Sequence, residues 1–135
     1  MKPESARFLD KARDLLAQAD VMLRVGLNDA AGRTAYLAGY NAAKALLFEQ
    51  RNHNYTAHGR VQTLFAELTK GDERIAPNLR LFLSSAYNLK RLADYETGPG
   101  SEVSAERATE ATRTAHQFVA CIAGLLPPND QPRSG

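Results

Sequence analysis

The stretch "GRTAYLAGYNAAKALLF", residues 32–48, decides the fold. It holds only two charged residues, Arg33 and Lys44, in seventeen, and its Ala and Leu residues recur at spacings of three and four. That period belongs to a helix, and the low charge means a helix surrounded by other protein. Gly32, Ala35, Gly39, Ala42 and Leu46 fall on one stripe. Glycine costs about 1 kcal/mol against alanine inside a helix, so a stripe of small residues implies a second backbone packed closely against it. The reading is a central helix, capped by Asn28 or Asp29 and running to about Gln50. Tyr36 and Tyr40, one turn apart beside the stripe, read as core aromatics whose hydroxyls find partners.

The segments on either side repeat the helical period. Phe8, Ala12, Leu15, Leu16, Ala19, Met22 and Leu23 share a face of a first helix from about Ser5 to Val25, which Gly26 ends. After the polar connection "RNHNYT", Val61, Leu64, Phe65 and Leu68 mark a third helix that stops by Gly71. Leu79, Phe82, Leu83, Ala86 and Leu89 mark a fourth, which runs into "KRLADYETGPG", residues 90–100, with Gly98-Pro99-Gly100 as its closing turn. Ser104 is placed to cap a last helix that buries Ala108, Ala111, Ala115, Phe118, Val119, Ile122 and Leu126 before Pro127-Pro128. Strand signals are nearly absent. The expected fold is all-α, an up-and-down bundle of four main helices and one shorter one, with residues 1–126 forming one domain and 127–135 a flexible tail.

Composition narrows the function. A chain of 135 residues suits one domain and therefore one site or surface. No apolar run approaches the roughly 20 residues of a membrane helix, and Met1 to Glu4 lead straight into an amphipathic pattern without a signal-peptide core, so the expectation is a cytoplasmic protein. The single Cys121 lies in "FVACIAGLL" and reads as a buried, inert thiol. His53, His58 and His116 lack the paired spacing of a metal site, so neither metal nor cofactor is expected. Paired catalytic carboxylates, a glycine-rich phosphate loop and a nucleophile elbow are all missing, which removes the common hydrolase and NTPase readings. A net charge of +2 is too small to name a nucleic-acid partner without local clustering.

The end of the fourth helix is where such a cluster forms. Lys90 and Asp94 stand at i and i+4, and Arg91 reaches Asp94 at i+3 and Tyr95 at i+4. Cations at a helix C-terminus anchored by an aspartate are also what an ordinary solvated helix end contains. The functional alternative is that Lys90 and Arg91 hold phosphate oxygens. His58, at the start of the third helix, reads as a satisfied histidine or as a general base. "RNHNYTAHGR", residues 51–60, interleaves cations with an aromatic, a weak single-strand signal.

Two segments together resemble a known family. "RTAYLAGYNAAKALL", Arg33 to Leu47, resembles the second-helix signature of the HEPN domains (higher-eukaryote and prokaryote nucleotide-binding), which in one bacterial branch reads much like Ser-Arg-Ala-Tyr-Tyr-Ala-x-Phe-His-Ala-Ala-Arg-Ala-Leu-Leu. "YNLKRLADY", Tyr87 to Tyr95, is similar to that branch's Tyr-x-Leu-Arg-Asn-x-Ala-Asp-Tyr, and "HGRVQTLF", His58 to Phe65, to its third helix. The likeness extends from about Phe8 to Leu126.

The resemblance implies a helical bundle, commonly a homodimer, of a kind that cuts RNA as a toxin or partners a minimal nucleotidyltransferase. The active ribonucleases carry an Arg, four to six spacer residues and a His, with two copies meeting across the dimer. Here Lys90 stands where the Arg is expected, Arg91 where an Asn usually follows, and Tyr95 where the His would fall. A tyrosine with an unperturbed pKa near 10 is a poor proton shuttle at neutral pH, and acid–base assistance is typically worth about 10² to 10⁴ in rate. The expectation is a dimeric nucleotide-, RNA- or partner-binding domain in a toxin–antitoxin-like system, with Lys90, Arg91, Asp94, Tyr95 and Arg33 as contacts. The alternative is a metal-independent ribonuclease with a variant site, drawing on Lys90, Tyr95 or His58.

Overall fold

A computed structural model describes residues 1–95, 98 and 102–128, and among them only helices form regular structure. The elements are α1 (Pro3–Arg24), α2 (Asn28–Arg51), α3 (His58–Leu68), α4 (Pro77–Arg80), α5 (Phe82–Tyr95) and α6 (Ala105–Leu125). This is the expected helical bundle, with α1, α2, α5 and α6 as its long members and one more short element than the periodicity suggested.

As its low charge requires, α2 is the core. It packs against α1, α5, α6 and α3, and Ala31, Ala35, Tyr36, Ala38, Ala42, Ala43 and Ala45 are all fully buried. The glycine stripe makes room for side chains of α5 rather than for its backbone. A Cβ built on Gly39 would overlap the Phe82 ring and stand 3.3 Å from Leu83 Cδ2, while one on Gly32 would meet Leu89 Cβ at 3.4 Å. Thus α5 lies directly on the glycine side of α2. The pairs Gly32–Leu89 and Gly39–Phe82 run in opposite senses along the two segments, so α2 and α5 are antiparallel.

The ends follow elementary rules, with corrections. Gly26 adopts φ +80° after α1, and the amides of Gly26 and Leu27 return to the carbonyls of Leu23 and Met22. At the start of α1, Pro3 occupies the first turn, where its missing N–H costs nothing, so the helix begins two residues before Ser5. Neither Asn28 nor Asp29 caps α2. Leu27 is the N-cap residue, without a side-chain bond, and Asp29 Oδ1 instead accepts from the Val103 amide at 2.7 Å, tying the approach to α6 onto the start of α2. Ser104 does cap α6, its Oγ accepting from Arg107 N at 3.1 Å. The expected fourth helix is divided. Pro77–Arg80 make one turn, Leu81 stands exposed at the break, and α5 restarts at Phe82; Arg80 Nη2 donates to the Asp72 carbonyl, which binds that turn to the preceding loop. Cys121 is only partly buried, its Sγ 3.7 Å from the Arg74 carbonyl, and burial pushes its pKa up. The Gly98-Pro99-Gly100 turn and the tail beyond Pro128 fall largely outside the described residues. No helix among the described residues is long and apolar enough to cross a membrane.

Candidate functional site

Two helical rows face each other across the α2–α5 contact. Arg33, Tyr36 and Tyr40 occupy positions i, i+3 and i+7 of α2, and Tyr87, Lys90 and Asp94 repeat that spacing on α5. Each row therefore lies on one side of its helix. Because the helices are antiparallel, Arg33 meets Asp94 at one end while Tyr36 meets Tyr87 further along, their ring centroids 5.3 Å apart.

At the charged end, Asp94 bridges two cations. Its Oδ1 accepts from Arg33 Nε at 2.7 Å and its Oδ2 from Lys90 Nζ at 2.7 Å. The i,i+4 pair was legible in the sequence; the partner from α2 was not. The expected contact of Arg91 with Asp94 is not formed: Arg91 is exposed, and among the described residues no hydrogen bond or ion pair links the two. Lys90 is 8% exposed, unusual for a lysine, and Asp94 supplies a countercharge for it. Hydrogen bonding from Lys90, followed by that from Arg33, holds the Asp94 carboxyl below the usual carboxylate range, so the bridge is ionised at neutral pH. Tyr95 ends α5, and its side chain lies outside the described residues.

Next along the interface is an aromatic cluster centred on His58. The imidazole is 4.5 Å from the Tyr40 ring and 5.6 Å from those of Tyr36 and Tyr87, measured between centroids. Its Nδ1 is 2.8 Å from the Tyr36 hydroxyl, which also accepts a long 3.4 Å bond from Gln62 Nε2. The phenol and the imidazole share one hydrogen bond, whose direction is set by the His58 tautomer. Burial first, then the charges of Lys90 and Lys44, push the His58 pKa below its ordinary value; Asp94 opposes them. Tyr36 is fully buried and its pKa is pushed up to about 12, chiefly by that burial. The dyad is thus a neutral imidazole and a neutral phenol at pH 7.

The Tyr40 hydroxyl donates to the Thr56 carbonyl and pins the α2–α3 connection onto α2. That connection begins at Asn52, in the left-handed region with φ 55°. Lys44, one turn beyond Tyr40, lies over the Phe8 ring at 4.5 Å and near that of Tyr40 at 5.4 Å. Tyr87, Gln62 and Lys44 were absent from the sequence-based site. For Tyr87 the signal was its spacing to Lys90 and Asp94. No group of three or more His, Cys, Asp or Glu among the described residues is arranged to hold a metal ion.

The structure thus joins Arg33, Lys90 and Asp94 directly and sets His58 within electrostatic reach of the latter two, while Arg91 stands apart. No curated protein matches the chain. Among solved structures, the crystal structure of TT1696 from Thermus thermophilus resembles it with a TM-score of 0.78 at 22% sequence identity, over 93% of this chain and 100% of that one, a likeness of fold alone. The model of the HEPN domain matches residues 5–125, which takes in all of α1 except Pro3 and Glu4 and reaches the end of α6. With both facing rows inside the matched region, the chain belongs to the HEPN domain family.

Proposed function

We propose that this is a non-catalytic HEPN module that binds a nucleotide, RNA or a protein partner through the charged end of the α2–α5 face, as a homodimer working with a minimal nucleotidyltransferase in a toxin–antitoxin-like pair. Family membership supports nucleotide- or RNA-related function in general. The observation that carries the non-catalytic reading is the state of the one histidine near the cluster: His58 has its Nδ1 engaged by Tyr36 and a depressed pKa. A base weakened in this way is less able to take a proton from a ribose hydroxyl, and little of its charged acid form is present at neutral pH. Lys90 stands where the active ribonucleases carry arginine, and Tyr95 where they carry histidine.

The second reading, a metal-independent ribonuclease, draws on one observation: His58 feels both Lys90 and Asp94. In it, Lys90 neutralises phosphate and Tyr95 or His58 moves the proton. Incubation with structured RNA in the presence of a chelator separates the two. The binding module leaves RNA intact while retarding tRNA in a gel or binding ATP in a calorimeter. Cleavage lost in Tyr95→Phe, Lys90→Ala or His58→Asn would establish the enzyme instead. The homodimer is expected to bring Asp94 and Tyr95 of both copies to a two-fold cleft and to bury more than about 1,000 Å². Sedimentation at monomer mass over the working concentration range would remove that part of the proposal.

A further inference from the structure

Lys90, the residue at the position where the family's arginine is expected, is poorly placed to touch a ligand. Its side chain is 9% exposed, and its ammonium is bonded to Asp94 Oδ2 at 2.7 Å. Arg33 is arranged in the opposite way. Its side chain is 43% exposed, only its Nε is committed, to Asp94 Oδ1, and among the described residues neither of its terminal nitrogens has a hydrogen-bond partner. A guanidinium held by Nε still offers the end-on pair of Nη donors, which lie in one plane and can grip two oxygens of one phosphate.

Resting on the binding-module reading above, we infer that Arg33 is the phosphate-contacting residue of this site, and that Asp94 and Lys90 are positioning residues which fix its fork without touching the ligand. The recognised group is a phosphate, whether of a free nucleotide or of an RNA backbone. Asp94 is the telling residue. A carboxylate close to an incoming anion repels it, so simple electrostatics makes Asp94 a hindrance whose removal tightens binding. If the carboxylate is instead what aims the guanidinium, its removal weakens binding although the site becomes more positive.

The experiment measures affinity for ATP, AMP and adenosine by calorimetry, and for a labelled single-stranded RNA by fluorescence anisotropy, with a melting curve for every variant. Arg33→Ala is expected to weaken ATP and RNA binding on the order of 10- to 100-fold, the usual worth of hydrogen bonds to a charged group, while adenosine binding is unaltered. Arg33→Lys keeps the charge and loses the fork, and recovers only part of that loss. Asp94→Asn weakens ATP and RNA binding, again sparing adenosine. Lys90→Met, which preserves the apolar stem, costs more in melting temperature than in affinity. The ATP and RNA arms distinguish the two sources of phosphate. Tighter binding by Asp94→Asn, or an Arg33→Ala variant indistinguishable from wild type beside a Lys90→Met variant that no longer binds, overturns the assignment while leaving the binding module standing. A wild-type protein that takes up neither ATP nor RNA, or only an acidic peptide, overturns the assignment and the phosphate-binding reading together.

Discussion

The Gly39→Ala substitution tests the central packing relation. In an exposed helix this change is favourable by up to about 1 kcal/mol, since alanine has the better helix propensity. At Gly39 the added methyl would overlap the Phe82 ring, whose Cδ2 would lie 3.0 Å away, with Leu83 Cδ2 at 3.3 Å. Phe82 and Leu83 are both nearly fully buried, and Phe82 rests against Phe118 with centroids 5.2 Å apart, so the ring has little room to withdraw. Overpacking of this kind costs about 1–3 kcal/mol. Subtracting the propensity gain leaves a net loss of up to about 2 kcal/mol, or a fall in melting temperature of up to about 8 °C for a domain of this size. Gly32 is the internal control. Its added methyl would meet Leu89 Cβ and Cδ1 at 3.4 Å and Val103 Cγ1 at 3.7 Å, near ordinary contact, so Gly32→Ala should be neutral or slightly stabilising. Thermal and urea denaturation monitored by circular dichroism would measure both. Should Gly39→Ala melt at or above the wild-type temperature, or should Gly32→Ala prove the more damaging, the proposed approach of α5 onto the glycine stripe is wrong.

Other consequences are simpler to state. Because the folded-state pKa of His58 is depressed, its neutral form contributes full stability above the unfolded value of about 6.5, and that contribution is lost as pH falls through the lower folded pKa; His58→Asn should flatten the drop in melting temperature between pH 7.5 and pH 5, and an unaltered pH profile would contradict the assignment. Ser104→Ala removes the bond to the Arg107 amide and should cost about 1 kcal/mol, read by urea denaturation, whereas Ser104→Asp should recover most of it. Tyr40→Phe deletes the bond to the Thr56 carbonyl and should cost about 0.5–1.5 kcal/mol, with faster amide exchange confined to residues 52–57.

What could be read from the chain alone divides along a physical line. The i,i+4 neighbours on one helix are consequences of helix geometry, so Lys90–Asp94 was visible without a structure. So was the burial of α2, because a helix with two charges in seventeen residues has nowhere else to be. Contacts between helices depend on crossing angle and register, which periodicity does not specify. Arg33 and Asp94 are 61 residues apart, and the local rule pointed instead to Arg91, which shares a helix with Asp94 but not the side that faces α2. Asp29 misled for a related reason: a short acid before a helix is a good cap in isolation, but here the Val103 amide competes for it and wins. The reading of Tyr36 and Tyr40 as bonded core aromatics held because a buried phenol must satisfy its hydroxyl; that His58 and Thr56 would satisfy them was beyond sequence spacing.

The glycine stripe and the charged cluster are two sides of one device. Gly32 and Arg33 are adjacent in α2, as are Gly39 and Tyr40, so each glycine that admits α5 is followed, about 100° around the helix, by a residue of the row that borders the site. Leu89, which lies on Gly32, is likewise next to Lys90. The seating of α5 side chains on the glycine stripe, tightest at Gly39, therefore sets the helix separation at which Asp94 lies 2.7 Å from Arg33. A bulkier α2 would separate the helices and leave Asp94 with its local partner Lys90 alone, an ordinary helix terminus. By this argument Gly39 is as necessary to the site as the charges, although it belongs to the packing stripe and not to the charged row.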